Sequence, residues 1–281
     1  MEYFELSNGV KIPALGIGTF LLAPDAAEKA VTAALADGYS LVDTANAYVN
    51  EKAVGRALKN SGADRKDVFL STKLWPTVYT AEDAVDKTLD RLQTDYVDLL
   101  FIHQPAGDYI AGYRQLEKAY KEGKARSIGI SNFRGEKLEK LLAAAEIAPH
   151  VIQLEAHPYC TEKDVTERLE EYGTRLMAWY PLGHGDKKLI NEDVFVKLAE
   201  KYGKTPAQIV LRWHTQKGFI VIPGSSDERH IKDNIDIFDF ELTDGEMEEI
   251  AALDTNTKYY NATPRQEEAY ASFRPDMDGQ K

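Results

Sequence analysis

Asp43 and Tyr48 stand five positions apart in Asp43-Thr44-Ala45-Asn46-Ala47-Tyr48, immediately after the short apolar run 39–42. A phenol can give up a proton and a carboxylate can hold a neighbouring cation, so the pair offers acid–base chemistry wherever the fold gathers it into a cleft. The run 39–42, preceded by Asp37-Gly38, predicts a buried strand, with Asp43 at its carboxyl end and Tyr48 in the following turn. Each residue also has an ordinary structural explanation: Asp43 as the cap of a helix beginning near Asn50, and Tyr48 as a half-buried aromatic. What separates the two explanations is the set of residues at similar junctions further along the chain.

Short apolar runs recur at 14–18, 39–42, 68–72, 96–102, 126–130, 151–154, 175–178 and 219–222, eight in all. Between them lie stretches of helical periodicity at 26–36, 51–59, 81–92, 113–122, 135–146, 162–172 and 206–216, several opened by a capping residue such as Asp25, Thr80 or Thr161. A further helix fits 193–202. Strands that alternate with amphipathic helices pair in parallel through right-handed crossovers, and eight such units close a (β/α)8 TIM barrel. An open doubly wound sheet is the alternative, but no Gly-x-Gly-x-x-Gly opens a helix after the first strand; Gly16-Ile17-Gly18 is only a fragment of that pattern. Residues 3–13 predict an N-terminal hairpin, turned at Ser7-Asn8-Gly9, that plugs one end of the barrel. Residues 254–281 read as a loop-like aromatic C-terminal tail whose Tyr259, Tyr260, Tyr270 and Phe273 pack on the fold. No linker or internal repeat interrupts the alternation, so one barrel domain over 1–281 is expected.

Composition narrows the functions open to such a barrel. The 281 residues are 43% hydrophobic and 28% charged, which is globular composition. A formal charge of −12 without a basic cluster argues against a nucleic-acid surface or an anionic-membrane surface, leaving small molecules or proteins as the expected partners. Cys160 is the single cysteine, which rules out an intrachain disulfide or a cysteine-based zinc site, and no pair of histidines has metal-ligand spacing on a helix. No basic-then-apolar leader and no run of membrane-spanning length is visible, so a cytoplasmic location is expected.

At or just beyond the eight strand ends stand Thr19-Phe20, Asp43, Lys73, His103, Ser131-Asn132, Gln153 with Glu155, Trp179-Tyr180 and Pro223-Gly224-Ser225. In a barrel these ends share one face, where active sites are built. Helix caps alone would be drawn from serine, threonine, aspartate and asparagine, whereas this set adds an amine, an imidazole and an indole. The stretches GIGTF, DTANAYVNEKAVGRAL, STKLW, DLLFIHQP, IGISNF, IQLEAHPY, WYPLG and IPGSSDERHIKDN follow one another in the order and spacing of the aldo-keto reductases, so nearly the whole chain resembles that family, and within it the bacterial diketogluconate-reductase-like group. The resemblance implies reduction of an aldehyde or ketone to an alcohol by hydride transfer from NADPH, with a catalytic tetrad of Asp43, Tyr48, Lys73 and His103. It further implies that Thr19, Ser131, Asn132, Gln153, Trp179, Leu182, Gly183, Gly224, Ser225, Ser226, Arg229, His230, Asp233 and Asn234 bind the cofactor. Phe20, Trp75, Gln104, Tyr259 and Phe273 would wall a pocket for a small carbonyl substrate, and the protein would act as a monomer without metal.

The chemistry demands such a tetrad. Hydride addition leaves an alkoxide, so an acid must lie within roughly 2.6–3.2 Å of the carbonyl oxygen. Tyr48 fills that role if Lys73 stabilises its phenolate, with Asp43 keeping Lys73 charged and a neutral His103 orienting the carbonyl; a two-unit fall in the phenol pKa corresponds to roughly 2.7 kcal/mol. Two departures stand out. Gly224 and His230 replace two cations that the family commonly sets on the cofactor 2′-phosphate, which weakens the preference for the phosphorylated cofactor and admits NADH as a second one. Gln104 replaces a common tryptophan, which makes the pocket wetter and friendlier to hydroxylated or carboxylated substrates. Two other functions remain open to these residues: a Schiff-base aldolase working through Lys73, and a non-catalytic nicotinamide-nucleotide-binding subunit that senses redox state.

Overall fold

A computed structural model describes residues 1–280; Lys281, the last residue of the expected tail, lies outside them. Ten strands are present: β1 Tyr3–Glu5, β2 Lys11–Pro13, β3 Ile17–Gly18, β4 Leu41–Asp43, β5 Phe69–Leu74, β6 Leu99–Ile102, β7 Ile128–Ser131, β8 Val151–Glu155, β9 Arg175–Trp179 and β10 Ile220–Val221. β1 and β2 form an antiparallel hairpin, whose turn needs Gly9 at φ +80°. β3 to β10 lie side by side in chain order, every pair parallel. Gly16 N–H donates to Val221 O at 2.9 Å and Val221 N–H to Ala14 O at 3.0 Å, which joins the last strand to the first and closes the (β/α)8 barrel.

Side-chain parity follows from the pleat. Leu41, Phe69, Leu99, Phe101, Val151, Met177 and Ile220 fill the barrel interior together with Leu6 and Ile12 of the hairpin, which plugs the amino-terminal end. The alternate positions Val42, Leu70, Leu100, Ile130, Ile152 and Ala178 face outward into the shell of helices. Gly129 is required where it stands, since a Cβ there would come within 2.5 Å of the Phe101 ring and 2.6 Å of Val151 O. The interior parity, carried further along each strand, is the one that holds Asp43, Lys73, His103, Ser131, Gln153 and Trp179.

Helix boundaries depart from the sequence expectation where capping was misjudged. The helix expected at 81–92 spans Ala84–Leu92, and the one expected at 113–122 spans Tyr109–Lys121, opened by Asp108, whose carboxylate accepts from Ala111 N–H at 3.0 Å. Asp25 lies in the first turn of Pro24–Ala36 rather than capping it, and the Thr161 hydroxyl donates to Asp254 instead of opening Lys163–Leu169. Helices Glu228–Ile235 and Asp244–Ala251 follow β10. The tail is not all loop: Pro264–Ser272 is helical, started by a capping box in which Thr263 and Gln266 satisfy one another's backbone N–H. Among the described residues no helix is long and apolar enough to cross a membrane.

Candidate active site

Asp43 ends β4 and Lys73 stands next to the end of β5, both pointing into the barrel. Lys73 Nζ donates to Asp43 Oδ2 at 2.5 Å and to Thr44 O at 2.8 Å, with the two side chains 0% and 2% exposed. The other Asp43 oxygen accepts from Ser71 Oγ at 2.7 Å and Gln153 Nε2 at 3.1 Å. Asp43 is therefore the hub of a buried network and caps no helix. Thr19 stands behind it: its hydroxyl donates to Thr44 Oγ1 at 2.9 Å and its N–H to Asp43 O at 3.0 Å, in a cluster clamped by Asn50.

Tyr48 closes a 3-10 turn, Asn46–Tyr48, whose exit is the left-handed Val49 at φ +58°. Lys73 Nζ lies 5.0 Å from the centre of the Tyr48 ring, and the His103 ring meets Tyr48 edge-on at 5.5 Å. Sequence reasoning expects the ammonium against the phenol oxygen; here its hydrogen bonds go to Asp43 and Thr44. Burial pushes the Tyr48 phenol well above its ordinary value, and Asp43 and Tyr180 push the same way. Burial lowers the Lys73 ammonium, against the pull of Asp43. Burial, aided by the Lys73 charge, holds His103 well below the ordinary imidazole range, so it is neutral at pH 7. Its Nδ1 has no partner among the described residues.

These groups floor a cleft of about 740 Å³ that runs across the carboxyl-terminal face of the barrel. Phe20, Tyr48, Trp75, His103, Gln104 and Phe273 line one part; Ser131, Asn132, Gln153, Trp179, Leu182, Gly224, Ser225 and Ser226 line the other. Lys73 and Thr19 lie beneath the lining. Gly183 is buried behind it against Leu189 and Tyr259, and Tyr259 hydrogen-bonds Asp186 at 2.5 Å. Arg229, His230 and Asp233 lie on the exposed side of Glu228–Ile235, with Asn234 turned inward and buried. Sequence reasoning missed Leu21 and His184, while Tyr180 at the end of β9 and the tail residues Tyr260 and Tyr270 line the cleft as expected. Tyr180 takes φ +52° and stacks on His184 at 4.1 Å.

The donor set fits a nicotinamide dinucleotide. Gln153 Oε1 and Ser131 Oγ face the lining beside the half-exposed Trp179 ring, which suits a carboxamide and the flat ring that bears it. Further out, Ser225 and Ser226 precede the N-terminus of Glu228–Ile235, whose free N–H groups favour an anion. Asp227 caps that helix, however, and closes an ion pair with Arg229 at 2.9 Å.

The Aldo/keto reductase family model matches residues 14–255, and the chain belongs to that family of oxidoreductases. It is 43% identical to glyoxal reductase of Bacillus subtilis, covering 90% of this chain and 93% of that one. It is 39% identical to morphine 6-dehydrogenase of Pseudomonas putida, covering 90% and 92%. Among solved structures, MGS-M4, an aldo-keto reductase enzyme from a Medee basin deep-sea metagenome library, superimposes with a TM-score of 0.89 at 36% identity, over 92% of this chain and 97% of that one.

Proposed function

We propose that this barrel reduces aldehydes and ketones to alcohols with NADPH, accepting NADH less well, and that Tyr48 is the general acid. The observation that carries the reading is the stacking of a buried, charge-balanced Asp43–Lys73 pair beneath Tyr48, with a neutral His103 edge-on beside it. When bound, the nicotinamide supplies the hydride. Ser131, Asn132, Gln153 and Trp179 hold the nicotinamide end; Leu182, Gly224, Ser225 and Ser226 hold the phosphates, and Arg229, His230, Asp233 and Asn234 the adenosine end. As the carbonyl oxygen takes on charge, Tyr48 Oη gives it a proton and is later recharged from solvent. Burial keeps that phenol protonated at neutral pH, so the proton is always present. The phenolate left behind is stabilised by Lys73: a unit charge about 5 Å away contributes roughly 3 kcal/mol at an effective dielectric of about 20, before Asp43 offsets part of it. His103, uncharged, donates an N–H to the same oxygen without competing for the proton.

An imine-forming lysine is disfavoured, because Lys73 lies beneath the cleft lining and would have to abandon both Asp43 and Thr44. Relatives named for glyoxal and for morphine differ widely in substrate size. The aromatic walls Phe20, Trp75, Tyr270 and Phe273 favour a small dicarbonyl, aldehyde or keto-sugar derivative here. Following NADPH and NADH absorbance over a panel of such carbonyls tests the reading: turnover is expected with several, faster with NADPH. Cofactor binding without turnover of any would replace it with a non-catalytic nucleotide-sensing role, and borohydride trapping of a Lys73 adduct would replace it with aldolase chemistry.

A further inference from the structure

Gln104 follows His103 directly and is held at both its backbone and its side chain. The Tyr79 phenol accepts from Gln104 N–H and donates to Gln104 O, both at 2.9 Å, which fixes its backbone. Its side chain is fixed by a relay that begins across the cleft. The Trp179 indole N–H can only donate, and it donates to Asn132 Oδ1 at 3.2 Å. That choice turns Asn132 Nδ2 the other way, where it donates to His103 O and to Gln104 Oε1, both at 3.3 Å. With its oxygen committed to Asn132, Gln104 must present its NH2 group to the cleft. The residue is 8% exposed, and its Nε2 has no partner among the described residues, yet is not sealed from solvent. A buried amide donor left open at the wall of a cleft is matched by an acceptor on the ligand, because leaving it unmatched costs its desolvation on closure.

We infer that Gln104 Nε2 is the specificity-determining donor for an oxygen on the carbon next to the reacting carbonyl, so the site selects neutral α-dicarbonyls and α-hydroxycarbonyls over both plain and carboxylated carbonyls. The adjacency carries the geometry: Asn132 Nδ2 binds the carbonyl oxygen of His103 and the side chain of Gln104 together, so the imidazole proposed to receive the reacting oxygen and the free amide donor share one support. The charge argument excludes the carboxylates. No lysine or arginine among the described residues lines the cleft, so an α-keto acid would bury its charge without a counter-ion. The expectation of carboxylated substrates from the sequence thus narrows to hydroxylated and dicarbonyl ones.

This inference rests on the carbonyl-reduction reading, and one experiment separates the two. Steady-state kcat/KM is measured for 2,3-butanedione, 2-butanone, hydroxyacetone and pyruvate with wild type, Gln104→Leu and Gln104→Glu. Wild type is expected to favour butanedione and hydroxyacetone, with pyruvate at least ten-fold behind butanedione. Gln104→Leu keeps the bulk and removes the donor; it should lower kcat/KM for butanedione and hydroxyacetone about ten-fold relative to that for 2-butanone. Gln104→Glu replaces the donor with an acceptor and should do at least as much. Circular dichroism and cofactor affinity, unchanged in both variants, separate a lost donor from a disturbed wall. Equal losses for butanedione and 2-butanone, or pyruvate preferred by wild type, would overturn the assignment of Gln104. Absence of turnover with all four substrates in wild type would instead overturn the reading on which it rests.

Discussion

At the ends of β4 and β5, Lys73, Asp43 and their partners are almost wholly buried and joined at 2.5–3.1 Å, while in the loop beyond β10 Arg229 is 85% exposed and closes on Asp227 two residues earlier. The first region is a coupled unit in which each charge is the solvation of the next. The second is a row of separate surface groups, each screened by water and salt. A substitution at the sealed end leaves a buried charge uncompensated, whereas one at the open end shifts affinity by a fraction of a decade. The resemblance drawn from the sequence holds its expected residues at the sealed end and departs at the open end, where Gly224 and His230 stand in place of expected cations.

The sharpest way to break that contrast is at Tyr48. Tyr48→Phe removes only the transferable proton, so carbonyl reduction should fall by about 10²–10⁴-fold with cofactor affinity nearly unchanged, as turnover and cofactor fluorescence titration would report together. More than about a tenth of wild-type turnover would remove Tyr48 from the role of principal acid. Lys73→Met acts on stability as well. It strands Asp43 with Ser71 and Gln153 alone, an expected loss of about 3–5 kcal/mol by urea unfolding, largely recovered in Asp43→Asn with Lys73→Met. If Lys73→Met unfolds like wild type, the sealed end is not coupled.

How much of this was legible differs between the same two regions. The barrel and the convergence of Asp43, Lys73, His103, Ser131 and Gln153 follow from short apolar runs alternating with amphipathic stretches and from the residues that end them, because a closed barrel puts all its strand ends on one face. The Trp179–Asn132–Gln104 relay spans 47 and 28 positions and depends on which amide atom faces which, a matter no spacing encodes. Thr19 ends a strand like the others, yet its hydroxyl turns back to Thr44, so position alone misjudged its surroundings. The helix Pro264–Ser272 announced itself through Thr263, Pro264 and Gln266, but its polar composition masked the signal.

Two buried histidines sharpen the comparison through pH. His103 belongs to the buried end; His214 hydrogen-bonds Pro181 O at 3.2 Å and so supports the loop that follows β9 at the wall of the cleft. Burial lowers both, His214 to about 3, helped for His214 by nearby His157 and Lys217. A histidine depressed in the folded state stays neutral while its unfolded counterpart, with pKa about 6.5, takes up a proton. The unfolded chain then binds more protons, so stability falls as pH drops below about 6.5, by up to about 1.4 kcal/mol per unit for each group. Urea midpoints between pH 7 and 5 should decline accordingly, and His214→Gln should flatten the slope by close to one proton. An unchanged slope would mean that His214 is not held neutral.

The smallest effect is expected at the open end, and its size is the point. His230→Arg adds a guanidinium to the exposed face of Glu228–Ile235, where the 2′-phosphate of NADPH would offer it a dianion and NADH only a hydroxyl. Restoring the other cation is harder: a Cβ on Gly224 would lie 3.1 Å from Gly18 O, so Gly224→Lys presses on the backbone that ends β3 and has to displace it. His230→Arg alone should therefore raise the NADPH/NADH ratio of affinities about five-fold, under 1.4 kcal/mol, and the gain should shrink as salt rises. Asp227→Asn should add a comparable factor by releasing Arg229 from its ion pair, while the asparagine still caps the helix. Dissociation constants for both cofactors at low and high ionic strength decide the matter. A change equal for NADPH and NADH would mean that this helix does not meet the 2′-phosphate. A change as large as that of Lys73→Met would mean that the loop closes over the cofactor and shields these charges from solvent, so that the two ends of the cleft obey the same rule.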